Sequence, residues 1–286
     1  MSPLLEAAGV CQTFRTGHGR RAHTVVALDQ VSLAVDHGEI VGLVGESGSG
    51  KSTLARVICG LQPYDSGSVR LDGQVLTARR TRPQRRAVQL VFQDPYASLD
   101  PRMTIRQTLA EMLTVHRLLP KDRIRSRCQE LMELVQLPGS LLDARPGGMS
   151  GGQRQRVAIA RALSVDPRVL VADEAVAALD VSVQAGVINL LDDLRHELGL
   201  AILFIAHDLA VVRSLCDRVS VIHRGRIVEE RPTAALFAAP ENDYTRRLLA
   251  AVPRLDGQRT VGLGAAYRDR GVSLEQPDGC DRLMST

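Results

Sequence analysis

Tryptophan is absent from the 286-residue chain, and aromatic residues of all kinds make up only 3% of it. So thin an aromatic complement argues against a stacking platform for single-stranded nucleic acid, and no nucleic-acid partner is expected. Lysine is nearly missing: Lys51 and Lys121 stand against thirty-four arginines. The five cysteines (Cys11, Cys59, Cys128, Cys216, Cys280) are odd in number and form no C-x-x-C pair. That argues against a zinc site or a disulfide framework and fits a reducing compartment. No apolar run approaches the ~20 residues that span a bilayer, and no apolar signal segment opens the sequence. If the protein works at a membrane, another chain is expected to do the spanning. Internal repeats and coiled-coil heptads are also lacking.

What is present is ordinary for a globular protein with ample core: 44% hydrophobic and 24% charged residues, with a net charge of +4. Much of the excess charge sits in one run, Arg79-Arg80-Thr81-Arg82-Pro83-Gln84-Arg85-Arg86, which reads as a solvated loop leading into a strand. Against this background one stretch stands out, Gly45-Glu46-Ser47-Gly48-Ser49-Gly50-Lys51-Ser52-Thr53. A buried strand, Glu39 to Val44, precedes it, and Leu54, Val57, Ile58 and Leu61 follow at helical spacing. Strand, glycine loop and helix together make a phosphate-binding loop. Glycines let successive backbone N–H groups turn inward around an anion, and the helix aims its positive dipole end at the same place. Lys51 is expected to reach the β- and γ-phosphates of a nucleotide, and the Ser52 hydroxyl to ligate Mg²⁺. In a chain that otherwise uses arginine, a compact ammonium at this position is itself a signal.

Along the chain, strands are expected at 4–8, 25–28, 31–35 and 40–44. A polar loop at 15–23 lies between the first two, and its two histidines lack a third metal ligand. Residues 66–76 read as a hairpin turning at Asp72-Gly73, and 87–92 as another strand. Helices follow. Ile105, Leu109, Met112 and Leu113 share a face, as do Ile124, Leu131, Leu134 and Val135. Ser150 is a plausible N-cap for a helix over 151–164. Strands return at 169–172, 201–205 and 219–222, with a helix at 183–198 between the first two and a hairpin at His223–Arg226. This order predicts an α/β fold: a parallel sheet flanked by helices, with an inserted helical segment and an N-terminal antiparallel part. Residues 254–286 show weak periodicity and little promise of packed structure.

Asp173 and Glu174 emerge where the apolar run Val169-Leu170-Val171-Ala172 ends, the end of a strand at which open α/β sheets bind ligands. Asp173 is expected to hold Mg²⁺ and Glu174 to orient and polarise the attacking water. Met149-Ser150-Gly151-Gly152-Gln153-Arg154-Gln155-Arg156 then presents a second anion site, a Ser cap and two glycines at a helix start. With this stretch the sequence resembles the ATP-binding-cassette (ABC) ATPases over about residues 4–253. The resemblance implies a P-loop NTPase with a RecA-like core, an N-terminal antiparallel β subdomain and a helical subdomain inserted at about 95–165. It also implies ATP and Mg²⁺ as cofactors and a head-to-tail dimer in which Ser150, Gly151, Gly152 and Gln153 of one subunit close over ATP held by the other. Gln93 matches the Q-loop, which contacts Mg²⁺ and senses the membrane subunits. His207 matches the switch histidine at the γ-phosphate, Asp180 the D-loop aspartate, and Phe14 the aromatic that stacks on adenine. Ala175 and Ala177 depart from the family's usual Pro and Ser, and Met149 from its Leu or Phe. No phosphate or metal ligand is lost, so hydrolysis is expected.

Within the family, Val91-Phe92-Gln93-Asp94-Pro95-Tyr96-Ala97-Ser98-Leu99-Asp100-Pro101-Arg102 and Ala206-His207-Asp208-Leu209-Ala210-Val211-Val212-Arg213 resemble ATPase subunits of oligopeptide, dipeptide and nickel importers. So does the late Tyr244-Thr245-Arg246-Arg247-Leu248-Leu249, in a C-terminal segment at about 232–253. Ser52-Thr53-Leu54-Ala55-Arg56 is similar to the F-type ATPase of such systems. The implied partners are two membrane permeases, a second ATPase that is either a copy or a sister chain and, indirectly, an extracytoplasmic solute-binding protein. The implied place is the cytoplasmic face of the inner membrane. Cys280 alone is available in the tail, so no iron–sulfur cluster is expected. Two alternatives are a soluble ABC ATPase of DNA repair or translation and a nucleotide-dependent regulator that hydrolyses weakly.

Overall fold

Short, largely apolar runs that can pack on both faces set the centre of the molecule. The computed structural model describes residues 2–16, 23–77, 79–94, 98–177 and 179–251. Its elements begin with β1 (Leu5–Thr16), β2 (His23–Val35), β3 (Ile40–Val44), α1 (Lys51–Cys59), β4 (Ser66–Leu71) and β5 (Gln74–Val75). Next come α2 (Arg82–Ala87), β6 (Val88–Val91), α3 (Ile105–Val115), α4 (Ile124–Leu134) and α5 (Gly151–Leu163). The last group is β7 (Val169–Asp173), α6 (Val181–Leu198), β8 (Ala201–Ile205), α7 (Leu209–Leu215), β9 (Arg218–His223), β10 (Arg226–Pro232), α8 (Thr233–Ala238) and α9 (Asp243–Ala250).

Two sheets result. The N-terminal one is antiparallel in the order β2-β1-β4-β5, and the larger has six strands in the order β10-β9-β3-β8-β7-β6. In the larger sheet β6, β7, β8, β3 and β9 run parallel, and β10 joins antiparallel at one edge. Every residue of β3, β7 and β8 is buried, which explains why they are apolar but for the closing Asp173 of β7. Alternate residues serve opposite faces. Ile40, Leu170, Ala172, Ile202 and Phe204 pack with residues of α3 to α7. Val41, Leu43, Val169, Val171, Leu203 and Ile205 pack with α1 and the antiparallel sheet. Helix α1 is thus clamped beside the sheet, through Leu54, Ala55, Val57 and Ile58.

The structure revises the expected elements in several places. The strands expected at 25–28 and 31–35 are one, interrupted where Gln30 takes a positive φ of 54° and the register slips between Val10↔Val31 and Gln12↔Leu28. The strand expected at 87–92 begins one residue later, because Thr81 and Gln84 form a capping box and Pro83 suits the first turn of α2. Leu61 is not on α1: Gly60, with φ 72°, caps the helix, and Leu61 is exposed. The arginine run is not a solvated loop throughout. Arg80 is buried, and its Nη2 donates to the Val57 carbonyl in the last turn of α1, where a cation complements the helix dipole. The loop histidine His18 and the tail, with Cys280, lie outside the described residues. Among the described residues no helix is long and apolar enough to cross a membrane.

Candidate functional site

Three neighbouring strands deliver the site. Strands β3, β8 and β7 lie side by side and parallel, so the loop after β3, Ala206 and His207 after β8, and Asp173 and Glu174 at the end of β7 come out at one edge. Backbone bonds tie these ends together: Ala206 N–H donates to the Leu43 carbonyl and Glu174 N–H to the Ile205 carbonyl, at 3.4 and 2.9 Å.

The loop itself is held from several sides. A Cβ at Gly45 would stand 2.2 Å from the Ile222 carbonyl oxygen, and one at Gly50 would stand 2.6 Å from that of Ala27. Only glycine lets the backbone pass so close. The Lys51 ammonium is folded into the loop, donating to the carbonyls of Gly45 and Glu46, each at 2.8 Å. Ser49 N–H donates to the Glu46 carbonyl, and the Ser49 carbonyl accepts from Gly225 N–H in the β9–β10 turn. Ser49 Oγ is buried with no hydrogen-bond partner among the described residues. A buried hydroxyl without a partner beside a loop of backbone amides is a donor free for an oxyanion. Burial holds the Lys51 ammonium below its usual value, with Glu174 and Asp173 pulling the other way.

Beneath the loop, Ser52 Oγ donates to Asp173 Oδ1 at 3.2 Å. Asp173 is 8% exposed, and burial raises its carboxyl above the ordinary range; the Ser52 bond opposes the shift and Glu174 reinforces it. Two hard oxygen donors, one a buried carboxylate lacking a full countercharge, fit a small divalent cation shared with phosphates. A carboxyl whose folded value is raised contributes stability at low pH that is lost as pH rises through that value. The ionised form is therefore a cost near neutrality. Asp173→Asn is expected to raise the thermal midpoint of the nucleotide-free protein at pH 7 by about 2 °C, with the gain fading as pH falls through the carboxylate range. The same variant should lose the further stabilisation that Mg²⁺ and ATP give. Calorimetry at several pH values checks both, and an unchanged or lower midpoint at pH 7 would refute the first.

Glu174 takes a left-handed conformation, φ 49°, and its carbonyl accepts from Ala177 N–H. For a non-glycine residue this costs about 1–2 kcal/mol. The turn carries the chain off the strand and leaves the Glu174 side chain partly exposed beside Asp173. His207 is exposed just past β8, and Gln93 is exposed two residues past the end of β6.

The second glycine stretch stands apart from this loop. Ser150 caps α5 in a reciprocal box with Gln153: Gln153 N–H donates to Ser150 Oγ at 3.3 Å, and Ser150 N–H to Gln153 Oε1 at 2.9 Å. Gly152 is buried where a Cβ would lie 2.2 Å from Val183 Cγ1, so α5 meets the start of α6 closely. Asp180 stands at the N-cap of α6 without a side-chain cap bond and is exposed. Among the described residues no hydrogen bond joins Ser150–Gln153 to the loop at 45–50. Phe14 is half-buried on β1, paired in register with Val25. The residue missed in the sequence is Tyr244: its hydroxyl accepts from Glu46 N–H at 3.1 Å, 198 positions away. The stretch 244–249 had signalled kinship only.

The ABC transporter family model matches residues 28–177. Among curated proteins, the chain is similar to a "Putative peptide import ATP-binding protein" of Brucella abortus (strain 2308), 52% identical over 283 residues, covering 97% of this chain and 84% of the relative. A protein of the same description from Brucella ovis is 45% identical over 282 residues, covering 98% and 88%. Among solved structures, the dimeric ATP-binding cassette MJ0796 in a post-hydrolysis state bound to ADP and Pi superposes with a TM-score of 0.70 at 29% identity, over 80% of this chain and 98% of that one. The cassette cbiO1 of Clostridium perfringens, part of the transporter complex cbiONQ, gives 0.72 at 28% identity, over 89% and 97%.

Proposed function

The chain belongs to the ABC transporter family as an ATP-hydrolysing importer subunit, and from that premise we propose that it powers uptake of peptides through two partner permeases. The supporting observation for the substrate is the 52% identity, over nearly the whole chain, with a relative named for peptide import. A close nickel or other small-solute importer is the neighbouring case. The working place is the cytoplasmic face of the membrane, with a second ATPase as partner.

In this reading the loop from Gly45 to Thr53 surrounds the phosphates, with Ser49 Oγ free to join it. The Lys51 ammonium moves from its two carbonyls to phosphate oxygens and offsets developing charge. Ser52 and Asp173 would hold Mg²⁺, which would supply positive charge to neutralise the phosphates. Glu174 orients the attacking water and accepts its proton. From the strand ends on either side of β7, His207 approaches the γ-phosphate and Gln93 the Mg²⁺ side, and Phe14 faces the adenine. The exposed cap of α5 supports a head-to-tail pair: Ser150–Gln153 of one protomer close over the nucleotide of the other, with Asp180 at the shared seam. Most of the rate enhancement then comes from positioning and charge stabilisation.

The test is isolation of the chain from the membranes of its own cells, as Glu174→Gln with ATP to hold the closed pair together. Co-isolation of two permeases, with a peptide-binding protein from the same system, is the expected result. Recovery with ribosomes or repair proteins and no membrane chain would overturn the transport role.

A further inference from the structure

The contact between Tyr244 and the nucleotide loop has a specific geometry. In a trans peptide unit the carbonyl and the N–H point in opposite directions. The unit joining Gly45 to Glu46 uses both: its carbonyl accepts from Lys51 Nζ at 2.8 Å, and its N–H donates to the Tyr244 hydroxyl at 3.1 Å. Tyr244 and Lys51 therefore grip one peptide plane from its two sides. If that plane rotates, the carbonyl that parks the ammonium turns away.

Tyr244 is itself firmly held. It is 5% exposed, and its ring stacks on His223, centroid to centroid 3.9 Å at 16°. Its own N–H donates to Asn242 Oδ1 at 2.8 Å, the cap of α9. Both oxygens of Glu229, on β10, accept backbone N–H groups just before that helix, from Glu241 at 2.8 Å and Asn242 at 3.0 Å. His223 follows Ile222, the residue against which Gly45 is pressed. Helix α9 is thus bound to the same strand end that shapes the loop.

We propose that Tyr244 is a positioning residue for Lys51, acting through the Gly45–Glu46 peptide. Helix α9 thereby sets how tightly the loop takes a nucleoside triphosphate. This rests on the assignment of Lys51 to phosphate binding made above. Tyr244→Phe removes the hydroxyl and keeps the ring on His223, so the fold is retained. The freed Glu46 N–H turns to water, since Glu46 is exposed.

Having only two lysines makes the experiment direct. In protein labelled with ¹³C,¹⁵N-lysine, Lys51 and Lys121 give two side-chain signals, and Lys121 serves as an internal control. In nucleotide-free Tyr244→Phe the Lys51 signal is expected to shift and that of Lys121 to stay. The KM for ATP is expected to rise about three- to tenfold, the effect of one lost hydrogen bond, with kcat within about twofold of wild type. A Lys51 signal identical to wild type would overturn the link, as would shifts of both lysines together. A shifted Lys51 signal with an unchanged KM would uphold the link and overturn instead the part given to Lys51 in nucleotide binding.

Discussion

Glu174→Gln is expected to lower ATP turnover by about 10²–10⁴-fold, the range for loss of a positioned general base, while leaving ATP bound. The substitution is isosteric; it removes the ability to accept a proton together with the negative charge that Lys51 and Asp173 feel. The conformation of residue 174 is set by its backbone, through N–H donation to the Ile205 carbonyl and acceptance from Ala177 N–H, and neither bond involves the side chain. Glutamine bears the same left-handed strain as glutamate at φ 49°. The variant should therefore fold as wild type does, and any loss of rate belongs to the carboxylate. With hydrolysis blocked, ATP and Mg²⁺ should convert monomer into a closed pair that persists through size-exclusion chromatography. Turnover within tenfold of wild type would remove Glu174 from the role of base and leave His207, on the adjoining strand end, as the candidate.

The loop was legible because all its parts are contiguous: apolar strand, three glycines, Lys51 and the start of α1 lie within twenty residues. Asp173 and Ser150 were legible for a similar reason, each closing or opening an element whose pattern is local. The Ser52–Asp173 contact followed once both were placed, since parallel strands bring their ends to one edge. What sequence did not disclose depends on distant chain segments. Arg80 belongs by composition to a solvated run, yet the carbonyl end of α1 draws it into the interior. Leu61 is the local exception: it continues the helical spacing, but the glycine just before it takes a left-handed conformation and stops the helix. At Gln30 the sequence reads as a gap between two strands, whereas the chain runs on as one strand whose positive φ there answers to the bulged pairing with β1. Tyr244 stands in a stretch whose sequence speaks only for kinship with importer ATPases, and tertiary packing alone sets its hydroxyl against Glu46 N–H.

Lys51→Arg is expected to be nearly as damaging as Lys51→Ala, in a chain that otherwise uses arginine for almost every cation. Both should lower kcat/KM for ATP by about 10²-fold or more, the scale for loss of one preorganised charge donor at a phosphoryl-transfer site. The reason is space and donor geometry. Lys51 is 5% exposed, and its ammonium rests between two carbonyls at 2.8 Å. The backbone of this loop has no slack, as the 2.2 Å clearance for a Cβ at Gly45 shows. A guanidinium is planar and larger, and presents five donors in a fixed fork. Here it would leave donors unpaired in a buried setting and force the loop outward, at about 1–3 kcal/mol for the overpacking alone. Alanine instead leaves the carbonyls of Gly45 and Glu46 without their shared donor and the phosphates without a cation. The two variants should differ in the nucleotide-free state: Lys51→Arg lowers the thermal midpoint, and Lys51→Ala changes it little, because removing a buried ammonium offsets the lost hydrogen bonds. Steady-state ATPase assays, titration with a fluorescent ATP analogue and calorimetry together decide it. An arginine variant within tenfold of wild type would mean that positive charge alone suffices at residue 51, and that the loop is softer than its glycine contacts imply.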